Sequence, residues 1–93
     1  MNLKRSSGSR TGHRVVLFAL STCGWCRRAK ELLDQNDIAY DYIFVDQTTG
    51  EEREQVVKRV RELNPRGSYP TIEIDGEVVV GFDEERIREL LEL

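Results

Sequence analysis

No apolar run in this 93-residue chain comes near the roughly 20 residues that a membrane-spanning helix requires; the longest, Val15 to Leu20, has six. The N-terminus also lacks the apolar stretch of a secretory signal, so the expected address is cytoplasmic and no membrane partner is expected. Length excludes a second core, which would need about as many residues again. Histidine is nearly missing: His13 is the only one, and with two cysteines one chain does not supply the ligand set of a structural zinc site. Excess positive charge is missing as well. The formal charge is -3, and Met1 to Arg14 carries Lys4, Arg5, Arg10 and Arg14 without an acid, which leaves -7 for the other 79 residues. A net-acidic folded part repels phosphate backbones, so nucleic acid is excluded as the main partner.

What is there suffices for one modest core: 39% apolar and 33% charged residues describe a soluble domain. Ser6, Ser7, Gly8, Ser9 and Gly12 make residues 1–14 read as a flexible basic lead-in with no core residue beyond Met1 and Leu3, and the domain proper is expected over 15–93. Val15 to Leu20 reads as a central strand covered on both faces. Trp25, Ala29, Leu32 and Leu33 mark one face of a helix that Asn36 and Asp37 end. Tyr40 to Asp46 reads as a second strand, parallel to the first because a helix connects them. Val56, Val57, Val60 and Leu63 mark a second helix stopped by Asn64 and Pro65. Thr71 to Ile74 and Glu77 to Val80 flank Asp75-Gly76, a hairpin signal, and Asp83 opens a last helix with Ile87, Leu90 and Leu91 inward. The order β-α-β-α-β-β-α predicts an α/β fold, a thioredoxin-like three-layer sandwich around a mixed four-stranded sheet.

The two cysteines stand as Cys23-Gly24-Trp25-Cys26, where the first strand gives way to the first helix. Unpaired N–H groups and the positive helix end favour an anion at Cys23, while Cys26 lies one turn deeper on the same face, near enough to close a disulfide. Cys23 is therefore expected to attack and Cys26 to resolve. A stapling disulfide over so small a loop would contribute only about 2 kcal/mol, which makes redox chemistry the better reading. Metal or iron–sulfur binding would need two chains to share ligands. Arg27 and Arg28 oppose the helix dipole in the first turn, and Arg27 is the candidate for lowering the Cys23 pKa.

The strand, the CxxC at a helix start, Ser68-Tyr69-Pro70-Thr71 before the hairpin and Gly81-Phe82 before the last helix resemble the glutaredoxin family over about residues 15–93. The resemblance implies a cis proline facing the disulfide at Pro70, and Tyr69 with its backbone free to pair with a substrate strand. It adds Gly81 and Phe82 as substrate-binding candidates; Trp25 joins them if it packs on the rim, the expected place, rather than in the core. Gly24-Trp25 replaces the family's usual Pro-Tyr, and Leu20 stands where glutathione-using members commonly carry lysine. Gly81-Phe82 replaces two glycines and looks more like the glutaredoxin-like hydrogen donors of ribonucleotide reductase, which take electrons from a flavoprotein reductase. Thioredoxins proper carry a buried acid where this chain has Leu17. The implied activity is reduction of protein disulfides by dithiol exchange, in a monomer without cofactor or metal. Its partners are disulfide-containing proteins and a flavoprotein disulfide reductase or another thiol reductant. The rival reading is a cluster-binding module bridged by two chains.

Overall fold

The structure, a computed structural model, describes residues 1–93 in the order β1 (Lys4–Arg5), β2 (Val15–Ala19), α1 (Gly24–Gln35), β3 (Asp41–Phe44), α2 (Gly50–Leu63), β4 (Thr71–Ile74), β5 (Glu77–Val80) and α3 (Glu84–Leu91). One mixed sheet runs β1-β3-β2-β4-β5; β2 and β3 are parallel and the other neighbours antiparallel. Strand β2 is central because its side chains are apolar on both faces. Val15, Leu17 and Ala19 enter the larger core with Ala29, Leu33 and Cys26 of α1 and Ile87 and Leu91 of α3. Val16 and Phe18 point the other way, into a smaller core with Val56 and Val60 of α2. Helices α1 and α3 thus lie on one face of the sheet and α2 on the other, the three layers expected.

Turns follow their chemistry. Asp75 and Gly76 adopt φ values of 51° and 86°, the left-handed pair that a two-residue hairpin loop requires. Asp83 caps α3 by accepting the Arg86 N–H at 3.1 Å. The second strand is shorter than the Tyr40–Asp46 expected, because Val45–Gln47 turns as a 3-10 helix with the Thr48 hydroxyl on the Val45 carbonyl at 2.6 Å.

The larger correction concerns residues 1–14, expected to be a flexible lead-in beside a four-stranded sheet. They dock, and the sheet has five strands. Lys4 and Arg5 pair with Tyr42 and Asp41. Ser6 N–H donates to the Tyr40 carbonyl at 2.9 Å, and Ser6 Oγ accepts the Tyr40 N–H at 2.9 Å. Arg10 N–H donates to the Asp37 carbonyl, and Ala39 N–H to the Arg10 carbonyl, each at 2.9 Å. Gly8 passes so close that a Cβ there would lie 2.1 Å from the Ile38 oxygen. The segment is held by backbone groups, a serine hydroxyl and a missing side chain, none of which leaves an apolar pattern in the sequence.

Deleting residues 1–10 should therefore strip partners from Ile38–Tyr40 and lower stability by about 1–3 kcal/mol, a loss of several degrees in the melting temperature. Gly8→Val should act in the same direction. Circular dichroism melts check this, and unchanged melting in both variants would contradict the docking.

Candidate active site

The loop between β2 and α1 presents the two cysteines, and its shape is set by hydrogen bonds. Cys23 is the N-cap of α1, with φ −91° and ψ 121°, and its Sγ accepts the Cys26 N–H at 3.2 Å. A thiolate at this point would meet a backbone donor and the positive end of the helix. The first turn of α1 contains no acid, whereas α2 opens with Glu51 and Glu52 and α3 with Glu84 and Glu85. Cys23 N–H closes the preceding turn on the Leu20 carbonyl at 3.2 Å.

The two thiols differ in surroundings. Cys23 is partly exposed and Cys26 is buried. Burial, reinforced by the hydrogen bond with Cys23, pushes the Cys26 thiol up to about 12. Both line a cavity of about 190 Å³ with Leu20, Arg27, Lys30 and Phe44. Arg27 thus shares a cavity with Cys23. Arg28 does not: its guanidinium lies over the Trp25 ring, 5.1 Å from the centroid.

The loop before β4 reaches the same end of the sheet, since Thr71 pairs with Phe18 next to the end of β2. Tyr69-Pro70 is cis, as the resemblance implied. Pro70 is buried and its carbonyl accepts the Gly81 N–H at 2.8 Å, where Gly81 has φ +78°. The Tyr69 N–H and C=O have no partner within the chain. Its phenol is pushed above the ordinary value by burial, against the pull of Arg53 and Arg61. Trp25 is 58% exposed, on the rim, and stacks on Phe82 with centroids 6.2 Å apart and planes inclined by 26°. The structure therefore brings Cys23, Cys26, Arg27, Tyr69, Pro70, Gly81, Phe82 and Trp25 to the end of the sheet where β2 stops.

Two supporting residues were not singled out from the sequence. Asp46, just past β3, accepts the Ser21 N–H at 2.8 Å and the Ser21 hydroxyl on its other oxygen. These donors hold its carboxyl below the usual carboxylate range, with Arg53 contributing. They also tie the cysteine loop to the neighbouring strand. Asn64 looks like a helix stop, yet its buried side-chain amide donates to Ser68 Oγ at 3.0 Å and Thr71 Oγ1 at 3.1 Å, shaping the loop that carries Tyr69 and Pro70. An acid at a strand end and an asparagine before proline read as ordinary surface and stop signals, so neither role was visible.

The Glutaredoxin family model matches residues 15–79. An uncharacterized glutaredoxin-like 8.6 kDa protein of Clostridium pasteurianum is 31% identical over 84% of this chain and 97% of its own length. Glutaredoxin 1 of Rickettsia conorii is 35% identical over 76% of this chain and 67% of its own. Among solved structures, methanoredoxin of Methanosarcina acetivorans superposes with a TM-score of 0.92 at 34% identity, covering 97% of this chain and 96% of that one. The glutaredoxin of Methanosarcina mazei Go1 gives 0.86 at 40% identity, covering 98% and 88%. With its paired cysteines at the start of α1 and a family match over most of its length, the chain belongs to the glutaredoxin family of thiol–disulfide oxidoreductases.

Proposed function

We propose that this protein reduces protein disulfides by dithiol exchange, with Cys23 as nucleophile and Cys26 as resolving thiol. The observation that carries the reading is the inequality of the two thiols. Cys23 is reachable and capped by a backbone N–H, whereas Cys26 is buried and held protonated by its surroundings. Cys23 thiolate attacks one sulfur of the substrate disulfide, a Cys23–substrate disulfide forms, and the first substrate sulfur leaves as thiolate and takes a proton. Cys26 then gives up its proton, attacks Cys23 Sγ and releases the second substrate thiol. Two electrons and two protons have passed to the substrate, and a Cys23–Cys26 disulfide remains. The unpaired Tyr69 backbone suits an extended substrate strand, in the manner of edge pairing. Trp25 and Phe82 offer an apolar contact, and Arg27 places positive charge on the cavity that holds Cys23. The reductant we infer is a flavoprotein disulfide reductase rather than glutathione: Leu20 stands where glutathione-using members of the family commonly carry lysine, and of the two cations on that cavity Lys30 is paired with Asp34, which leaves Arg27 alone for a tripeptide carboxylate.

Cys23→Ser should abolish disulfide reduction, and Cys26→Ser should attack and then stall as a mixed disulfide visible by intact mass. Preferential alkylation of Cys26 in the reduced wild type would reverse the assignment, and absorbance near 400–450 nm on purification, roughly where iron–sulfur clusters absorb, would favour the cluster-bridged reading.

The raised Cys26 pKa has its own consequence. Burial favours the neutral thiol, so reactivity should climb as pH rises toward about 12. In Cys23→Ser, where burial still acts, iodoacetamide labelling of Cys26 should be slow at neutral pH and still be rising at about pH 9–10. A plateau near the ordinary thiol range, about 8.5, would contradict it.

Glutathione should reduce the oxidised protein slowly beside a thioredoxin reductase, and Leu20→Lys should raise the glutathione rate about tenfold, the equivalent of one charge-assisted contact. Fast wild-type turnover with glutathione, unimproved by the lysine, would sink the inferred electron source.

A further inference from the structure

Helix α2 flanks the site on the face of the sheet opposite the Trp25–Phe82 pair, since its Val56 and Val60 fill the smaller core while α1 and α3 fill the larger. Tyr69 packs against both cores and so stands between the two sides. Arg61 packs along the loop that leads to Tyr69, its Nε 3.5 Å from where a Cβ on Gly67 would lie, and Arg53 and Arg61 both act electrostatically on the Tyr69 phenol. Neither is held in an ion pair within the chain, and the one carboxylate that Arg53 acts on, Asp46, is already bonded to Ser21. By contrast Arg59, on the same helix, is spent on Glu62 and Glu73, at 3.7 and 3.0 Å. The open face that carries Arg53 and Arg61 also carries Lys58. Of its two acids, Glu62 is engaged by Arg59, which leaves Glu54 against three cations. In a folded part whose net charge is negative, a solvent-facing excess of cations beside the substrate-pairing backbone is an asymmetry with a chemical complement.

We propose that the site selects protein disulfides whose cysteine is flanked on one side by acidic residues, the carboxylates lying along Arg53 and Arg61. The inference rests on the disulfide-reducing reading above and adds the substrate class. Spacing argues for a polypeptide. The two arginines stand eight positions apart on the helix, an axial rise of about 12 Å, which an extended chain covers in three to four residues. Both cations lie on one side of the sheet, so they suit two carboxylates on one side of the reacting cysteine. Glutathione carries its carboxylates on opposite sides of its cysteine and matches at most one of them. The Trp25–Phe82 stack, with the Arg28 guanidinium over the Trp25 ring, faces the other flank of such a segment.

The test uses reduced wild-type protein and peptides whose single cysteine is disulfide-linked to 2-mercaptoethanol, with Glu, Gln or Lys at two positions on one side of the cysteine, N-terminal or C-terminal in separate series. Second-order rates of peptide release are read at low and high salt. The Glu peptide should react about fivefold faster than the Gln peptide at about 20 mM salt, in one of the two series only, and the Lys peptide should be slowest. The Glu advantage should shrink to twofold or less at about 0.5 M salt and in Arg53→Gln/Arg61→Gln. It should persist in Arg86→Gln/Arg88→Gln, which removes the same charge from α3. Equal Glu and Gln rates in wild type, or equal loss of the advantage in both double variants, would overturn the proposal while leaving dithiol exchange intact. No reaction with any peptide, the neutral one included, would overturn the disulfide-reducing reading and this inference with it.

Discussion

The hydrogen bond from the Cys26 N–H to Cys23 Sγ, at 3.2 Å, is the interaction around which the rest of the site is arranged. It requires Cys23 to be the residue that caps α1, and this in turn requires β2 to end at Ala19 and the chain to turn sharply through Leu20–Thr22. The other two long helices start in the ordinary way, with glutamates that stabilise the positive end. Helix α1 forgoes that stabilisation and begins Gly24-Trp25-Cys26-Arg27-Arg28, so the only group placed to use its N-terminus is a cysteine sulfur. Stability of the helix then depends on burial of Ala29, Leu32 and Leu33 rather than on its first turn.

Three separate stretches hold this geometry. The cysteine loop is pinned to the end of β3 by Ser21 and Asp46. The Tyr69-Pro70 segment is shaped from behind by Asn64, and it is joined to the Gly81-Phe82 segment by the bond from Gly81 N–H to the Pro70 carbonyl. Because the two cores lie on opposite faces, the surroundings of Cys23 divide into a side on α1 and the segment before α3, where Trp25 stacks on Phe82 beside Arg27 and Arg28, and a side on α2 that carries Arg53 and Arg61. Substrate selection on this account is a property of how the sheet end is faced, while the redox step is a property of one helix cap.

Much of this was legible in the residues themselves. The six-residue run from Val15 announces a two-faced strand, the spacing of Ala29, Leu32 and Leu33 a helix face, and Asp75-Gly76 a hairpin turn, because each signal is local and strongly periodic. CxxC at a strand-to-helix boundary marks the chemistry for the same reason. What escaped was held by backbone and small polar groups. Ser6, Gly8 and Arg10 look like linker, yet they pair with residues 37–40, far away in sequence. Asp46 and Asn64 act through partners that only the fold brings near. Trp25 is exposed, and its stacking on Phe82, 57 positions along the chain, is a tertiary fact with no local signature.

The most direct test of dithiol exchange through an unequal pair is the fate of both sulfurs after one turnover. Fully reduced protein is mixed with one equivalent of a protein disulfide, quenched with acid, and examined by thiol counting and intact mass. The account predicts a monomer about 2 Da lighter that has lost both thiols, with the disulfide mapped to Cys23–Cys26 and two thiols gained by the substrate. A product retaining one free thiol, as a persistent mixed disulfide or a covalent dimer, would contradict it.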